Sequence, residues 1–267
     1  MGPFFRVFPN VTSHLFDTLI QPILLYSSDF WGCLKVPNNN PIENTHIKFC
    51  KDLLGVQKQT TNVGVLLELG RVPIMIQGKK NCIKNWKRIH VDGKANVLVL
   101  LSHLESIENK MRWPESVTAC LNNMGVGVGN ISNETVNKLA GQRMNDIFHQ
   151  ESFAEIKREG SKLRTYAKIK YEQGMETYLK QVSNVGRRIY LCKMRLSNHK
   201  LMIEKGRHTG LNIHDRNCPL CIEKIVEDEY HFILICPIYS VLRNELLAKV
   251  KQNIPTFEHL HKDQQLC

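Results

Sequence analysis

The stretch from Asn217 to Arg243, NCPLCIEKIVEDEYHFILICPIYSVLR, decides the interpretation of the C-terminal part of the chain. It places Cys218, Cys221, His231 and Cys236 at the spacing C-x2-C-x9-H-x4-C. Three thiolates and one imidazole complete the tetrahedral ligand set of a structural Zn²⁺ ion and leave no position open for water. The pattern therefore predicts a structural zinc site and not a catalytic one.

The segment after the first two cysteines fits this prediction. Residues 227–229, Glu-Asp-Glu, are predicted to form the acidic first turn of a helix that carries His231. His231 and Cys236 are five residues apart, about 140° around an ideal helix, so an unbroken helix would not direct both toward one metal. Because the residue before a proline is disfavoured in helical geometry, we expect Pro237 to let Cys236 turn inward.

Other residues offer alternatives to this ligand set. The histidines that could replace His231 are His199, His208 and His214. His46 and Cys50 are four residues apart on a predicted helix and could share a metal, although such a pair more often belongs to a core. The remaining alternative is that the four residues are unrelated and belong to a reduced, cysteine-containing helical protein.

Composition bounds the class of protein. The chain has 267 residues, of which 42% are hydrophobic, enough for the core of one large domain or two modest ones. Its nine cysteines are spread along the chain, and the first ten residues, MGPFFRVFPN, lack the basic start of a secretory signal. The sequence contains no run of about 18 apolar residues, so it does not predict a membrane span. We therefore expect an intracellular protein of the nucleus or cytoplasm.

Positive charge is concentrated in two clusters. The net charge is +11. The cluster within 79–94 contains Lys79, Lys80, Lys84, Lys87, Arg88 and Lys94, and the cluster within 187–207 contains Arg187, Arg188, Lys193, Arg195, Lys200, Lys205 and Arg207. Such clusters favour a polyanionic partner, RNA or DNA, through phosphate neutralisation. The alternative is a pair of solvated helix faces.

Apolar residues recur at helical spacing along most of the chain, and no convincing alternating strand is present, so we predict an all-α fold. The spacing predicts helices over 12–26, with a kink at Pro22, over 96–109, over 132–158 and over 184–200, the last with its arginines and lysines pointing outward.

The predicted regions are a helical region at 1–125, a linker and long helix at 126–181, and a basic helix with a C-terminal zinc-binding domain at 182–267. MGVGVGN at 124–130 is predicted to be a flexible linker. Tyrosines of a predicted surface helix pair at 162–180 could stack on bases; they include Tyr171 and Tyr178.

Five segments, in a preserved order, resemble the region downstream of the polymerase in non-LTR (LINE-type) retrotransposon reverse transcriptases. They are LFDTLIQPILLYSSDFWG (15–32), HIKFCKDLLGV (46–56), LLELGRVPI (66–74), LCKMRLSNHKLMIEKGRH (191–208) and CPLCIEKIVEDEYHFILICPIYSVLRNEL (218–246). The resemblance implies a helical thumb and connector in 1–125, followed by a C-terminal Cys/His zinc-binding domain that helps to hold template RNA and target DNA. It implies the same four ligands: Cys218, Cys221, His231 and Cys236.

The catalytic carboxylates of such an enzyme are missing from the sequence. Two-metal phosphoryl transfer needs paired acidic ligands, whereas no Asp-Asp pair occurs and Asp17, Asp29 and Asp52 are isolated. We therefore expect a non-catalytic, zinc-stabilised fragment that binds RNA or single-stranded DNA, derived from a truncated element or an orphan reading frame. The alternatives are an accessory subunit acting in trans with a separate reverse transcriptase, and a transposon remnant with no selected function.

Overall fold

A computed structural model of the chain describes residues 3–35, 37, 39–90, 97, 101, 104, 113–126 and 133–266. Helices form nearly all the regular structure of these residues, which otherwise contain two isolated β-bridges and no strand. The predicted all-α class is therefore confirmed. Within the described residues, no helix combines the length and apolar character needed to cross a membrane.

The α-helices differ widely in length. They are α1 (Pro9–Leu15), α2 (Gln21–Leu24), α3 (Ser28–Trp31), α4 (Pro41–Leu54), α5 (Asn62–Glu68), α6 (Ile74–His90), α7 (Trp113–Asn123), α8 (Asn133–Lys157), α9 (Tyr166–Ile169), α10 (Tyr178–Gln181), α11 (Val185–Arg195), α12 (Met202–His208), α13 (Ser240–Asn253) and α14 (Lys262–Gln265). The longest, α8, agrees with the helix predicted at 132–158. The predicted helix at 96–109 and most of the predicted linker at 124–130 lie outside the described residues.

Contacts divide the chain into two units. The first unit comprises Met1–Leu53, Leu66–Ser152 and Gly174–Gln181. The second unit comprises Leu54–Val65, Phe153–Gln173 and Val182–Cys267. The last segment of the second unit therefore begins where the sequence places the start of the C-terminal domain, while the predicted three-part division stays a prediction.

The first unit is built around α6. The apolar face of this helix packs on α7 and α8, and the buried residues include Ile83, Trp86, Val117, Leu121 and Ala140. On another side α3 approaches α6 so closely that a Cβ at Gly32 would lie 2.1 Å from the carbonyl oxygen of Gly78. A side chain at Gly32 would therefore force the two helices apart.

The N-terminal helical stretch is interrupted earlier than predicted. We expected one helix over 12–26 with a kink at Pro22, but Phe16–Ile20 forms a π-helical segment between α1 and α2. Pro22 has no N–H for the α-helical hydrogen bond, and widening of the preceding turn is a common response to such a defect. The interruption therefore lies before the proline, and the regular helix ends at Leu24.

The second unit has its own core. Fully buried side chains come from the segment before α9, from α9 and from the residues that end α11, and they include Leu163, Tyr166, Cys192 and Leu196. A Cβ at Gly64 would lie 2.9 Å from Leu163 and 3.0 Å from Leu196, so only glycine lets the chain pass here without repacking. Burial of these groups stabilises the second unit, which includes the basic helix α11 and the segments that carry the candidate metal ligands.

Residues 162–180 do not form the predicted helix pair. They contain the single-turn helix α9 and most of the single-turn helix α10. Tyr166 is completely buried, and the Tyr178 hydroxyl donates a 2.7 Å hydrogen bond to Glu68. Short loops and buried aromatic rings thus replace the expected amphipathic surface, and Tyr171 is the exposed tyrosine of this segment.

Candidate metal centre

The first two cysteines lie at the end of a short hairpin. Asn217 and Val226 form an antiparallel β-bridge. The Cys218 N–H donates to the Ile225 carbonyl at 2.8 Å, and the Glu227 N–H donates to the Arg216 carbonyl at 2.9 Å. These bonds clamp the two sides of the hairpin, so Cys218 and Cys221 are held in the tight turn that their spacing predicts.

A π-helical turn brings the other two ligands together. His231–Ile235 is π-helical, and the Cys236 N–H donates to the His231 carbonyl at 2.7 Å. This i→i+5 bond aligns residues five apart, which an α-helix would separate by about 140°. Cys236 then leaves helical geometry, with ψ 119°, immediately before Pro237. The expected effect of the proline is present, but the wider turn, which the sequence analysis missed, supplies the alignment.

The four side chains converge. The potential ligand atoms of Cys218, Cys221, His231 and Cys236 all lie within 4.8 Å of one another, and Cys221 Sγ is 3.5 Å from His231 Nε2. With Zn–S bonds of about 2.3 Å and Zn–N bonds of about 2.0 Å, a tetrahedral ion separates its ligands by roughly 3.5–3.8 Å. This Cys3His cluster is the one group within the described part of the chain that could hold a metal ion.

Burial also fits a structural metal site. Cys218, His231 and Cys236 are no more than 5% exposed, and Cys221 is partly exposed. His231 Nδ1 is buried and has no hydrogen-bond partner among the described residues. Partial desolvation, followed by the neighbouring Cys218 and Cys236 sulfurs, raises the pKa of the Cys221 thiol. A divalent cation bound among these sulfurs would stabilise their thiolate forms, because its positive charge would offset the repulsion between them.

Outer contacts fix the ligand-bearing segments. The buried Arg243 of α13 donates from Nε to the Ile233 carbonyl at 2.9 Å and from Nη2 to the Cys236 carbonyl at 2.5 Å. These carbonyls lie at the end of the π-helical turn, where they lack helical partners. Glu227 accepts a 2.6 Å bond from the Met202 N–H and lies 3.8 Å from Cys218 Sγ. Glu227 was predicted only as part of a helix first turn, and nothing in the local sequence pattern identified Arg243.

Helical geometry begins only at Glu229, so the predicted acidic first turn over 227–229 is wrong for Glu227 and Asp228, which precede the helix. Asp228 accepts the His231 N–H at 2.7 Å, as expected of a residue at a helix N-terminus. Glu229 is instead buried and pairs with Arg164 and His199 at 2.9 Å each. Burial alone would raise the pKa of Glu229, but the hydrogen bond from His199 and the charge of Arg164 lower it to about 2.

The alternative histidine ligands are not in the cluster. His199 is held by Glu229, while His208 and His214 are exposed. In the first unit, His46 lies between Arg71, which donates to Nε2 at 3.0 Å, and Glu43, 3.4 Å from Nδ1. His46 therefore belongs to a buried hydrogen-bond network and Cys50 to the hydrophobic core, which agrees with the core interpretation.

The first basic cluster lies on α6. Lys84 and Arg88 are exposed, and Lys79, Lys80 and Lys87 are half-buried. Lys80 Nζ is 3.5 Å from Asn145 Oδ1, and desolvation lowers the pKa of its ammonium group. This helix therefore carries a mixed surface, in which two of its five basic residues are exposed, while Lys94 lies outside the described residues.

The second basic cluster lies on α11 and α12 and in the segment between them. Arg187, Lys200 and Lys205 are exposed, and Lys193, Arg195 and Arg207 are half-buried. Arg195 lies over the Tyr166 ring at 5.6 Å, and Arg207 pairs with Glu204 at 3.6 Å. The expectation that every basic side chain of α11 points outward is wrong for Arg188, which is buried and donates to the Val182 carbonyl at 3.0 Å.

Comparison with known protein families, with curated proteins and with solved structures gives no match for this chain. The Cys3His cluster and the basic residues of the same unit are therefore the features of the chain that indicate a function.

Proposed function

We propose that this chain is a non-catalytic nucleic-acid-binding protein whose second unit is stabilised by a structural Zn²⁺ ion. The convergence of three cysteines and one histidine carries the proposal, since a closed Cys3His set is typical of structural zinc and leaves no site for a substrate. Zinc bound there would tie the hairpin at Cys218 and Cys221 to the π-helical turn at His231 and Cys236.

The positive charge of the same unit supports a nucleic-acid partner. Arg187, Lys200 and Lys205 expose their charges on or near α11 and α12, where phosphates could reach them. The absence of an Asp-Asp pair from the sequence supports a binding role without polymerisation. The resemblance to the C-terminal region of non-LTR reverse transcriptases is part of the same proposal, since it implies a zinc domain that holds RNA and DNA.

Two measurements on the purified full chain test the proposal. Elemental analysis should find about one zinc ion per chain, and titration with excess chelator should release it. Fluorescence anisotropy with labelled RNA and single-stranded DNA should show binding that weakens steeply between about 50 and 200 mM salt. Absence of binding at the lowest salt would refute the nucleic-acid role, and a metal-free, fully folded protein would refute the zinc role.

A further inference from the structure

A cleft of about 420 Å³ opens in the second unit, beside α11. One wall is the face of α11 that carries Tyr190, Lys193 and Met194, which are spaced i, i+3 and i+4 and therefore share one side of the helix. The other wall includes Lys205 of α12. The volume falls within the range of small-ligand sites and suits a single nucleotide better than a duplex.

The lining of the cleft is strongly positive. Four of its residues are lysines, namely Lys162, Lys193, Lys200 and Lys205. None of these four ammonium groups has an ion-pair partner among the residues that the structure describes. Glu204, the carboxylate that lines the cleft, is buried and compensated by Arg164 at 2.7 Å and Arg207 at 3.6 Å. The unpaired lysines leave the cleft attractive to an anion.

An aromatic ring, that of Tyr190, also lines the cleft. Tyr190 is 72% exposed and lies on the side of α11 that lines the cleft. An exposed tyrosine face beside cations is the combination on which unpaired bases stack while neighbouring phosphates are neutralised. A duplex keeps its base faces stacked on each other, so Tyr190 could accept a base only from an unpaired strand.

The floor of the cleft is held by buried polar contacts. Ser197 donates to Glu229 at 3.4 Å, and His199 lies 2.9 Å from the same carboxylate. Asn198, between them, hydrogen-bonds to Thr60. Because the loop from Ser197 to Lys200 is fixed in this way, Lys200 projects from an ordered backbone, which reduces the ordering cost of binding.

We propose that this cleft binds one unpaired nucleotide of a single-stranded nucleic acid, with the base stacked on Tyr190 and the flanking phosphates paired with Lys193, Lys200 and Lys205. The inference rests on the proposed nucleic-acid-binding function and gives that function a site and a strand preference. The proposed site adds Tyr190 to the basic residues predicted from the sequence. Tyr190 takes the stacking role for which the sequence suggested Tyr171 or Tyr178.

Matched variants of the full chain test the site. Tyr190→Ala should weaken binding of 12-nucleotide oligo(dT) and oligo(rU) by roughly 10- to 100-fold, whereas Tyr190→Phe should bind as the parent does. The control Tyr26→Ala removes a tyrosine that is 81% exposed in the first unit and should leave binding unchanged. Duplexes of the same length should bind more weakly than single strands and should not respond to Tyr190→Ala.

A second pair of variants separates charge at the cleft from charge in general. Lys200→Glu should weaken binding more than Lys249→Glu, an equal charge change at an exposed position of α13 outside the cleft. Strong binding by the parent with equal affinities for all variants would overturn the cleft and leave the general function standing. No binding by the parent at low salt would overturn both proposals. Comparison of the DNA and RNA arms shows which strand the cleft prefers.

Discussion

Two buried histidines precede buried cysteines on helical segments, and their environments differ. His46 is 1% exposed and precedes Cys50, which is fully buried, in α4 of the first unit. His231 is also 1% exposed and precedes the fully buried Cys236 in the second unit. In the first pair, His46 is hydrogen-bonded and Cys50 lies in the hydrophobic core, whereas the second pair belongs to a cluster of four potential metal ligands.

The difference lies in what surrounds each pair. Both ring nitrogens of His46 face hydrogen-bonding groups, on Arg71 and Glu43. Burial raises the pKa of the Cys50 thiol to about 12, so it stays neutral. Around His231, Cys218 and Cys221 supply two more sulfurs, and Nδ1 of the ring has no hydrogen-bond partner in the described part of the chain. A His–Cys pair therefore indicates a metal site only where further ligands converge on it.

The largest expected effect is the loss of zinc when Cys236 is replaced, which replacement of Cys50 should not cause. Cys236→Ser should reduce the bound zinc from about one ion per chain to nearly none, because it breaks the tetrahedral set, and the metal contributes on the order of 10 kcal/mol to such folds. Elemental analysis and limited proteolysis should show metal loss and new cleavage after about residue 210, with the first unit intact. Cys50→Ser is the control and should keep its zinc. A zinc-replete Cys236→Ser protein would contradict the comparison.

Removing the other histidine should destabilise the chain without touching the metal. His46→Ala leaves a cavity and takes the acceptor from Arg71, which should cost about 2–4 kcal/mol of unfolding free energy. Denaturant unfolding followed by tryptophan fluorescence measures this loss, and the zinc content should not change. His14→Ala, at an exposed position of α1, should have little effect. Loss of zinc from His46→Ala would show that the two pairs are not distinct.

Replacement of Arg243 tests whether its hydrogen bonds to the backbone around Cys236 contribute to zinc affinity. Arg243→Met keeps the length of the side chain but removes the donors to the Ile233 and Cys236 carbonyls. Zinc affinity should fall about 10- to 100-fold, as for other outer-shell partners, while one ion still binds at saturation. Competition with a chromophoric chelator measures the change. Lys249→Met on the same helix should leave affinity unaltered, and equal affinities for both variants would remove Arg243 from the site.

The smallest effect concerns thiol reactivity. Cys50 should resist iodoacetamide at pH 8.5 with or without chelator, because its raised pKa and complete burial keep the thiol protonated and inaccessible. Chelation should expose Cys218, Cys221 and Cys236 to the reagent, and peptide mass spectrometry can compare the rates. The folded-state pKa of Cys50 exceeds the unfolded value of 9.0, so its contribution to stability is complete below about pH 9 and declines between pH 9 and 12. Labelling of Cys50 as fast as Cys221 would contradict this.

Local patterns in the sequence were sufficient for the helical class, for α8 and for the choice of Cys218, Cys221, His231 and Cys236 as candidate ligands. These features depend on residue separations of three to ten positions or on apolar periodicity, which a single chain displays directly. The same reasoning identified Pro237 as the point where Cys236 leaves helical geometry. It could not identify the π-helical turn, because a π-helix and an α-helix share the same residue preferences.

Contacts formed on folding decided which charged side chains remain available to bind a ligand. Arg188 appears as basic as Lys193 in the sequence, yet packing turns Arg188 inward to the Val182 carbonyl and leaves Lys193 at the rim of a cleft. Glu229 is paired with Arg164, 65 residues earlier in the chain, and no local rule connects them. The sequence thus determined the chemistry that the ligands can perform, through residue type and spacing. The structure decided which charges are free, since that depends on partners brought together only by folding.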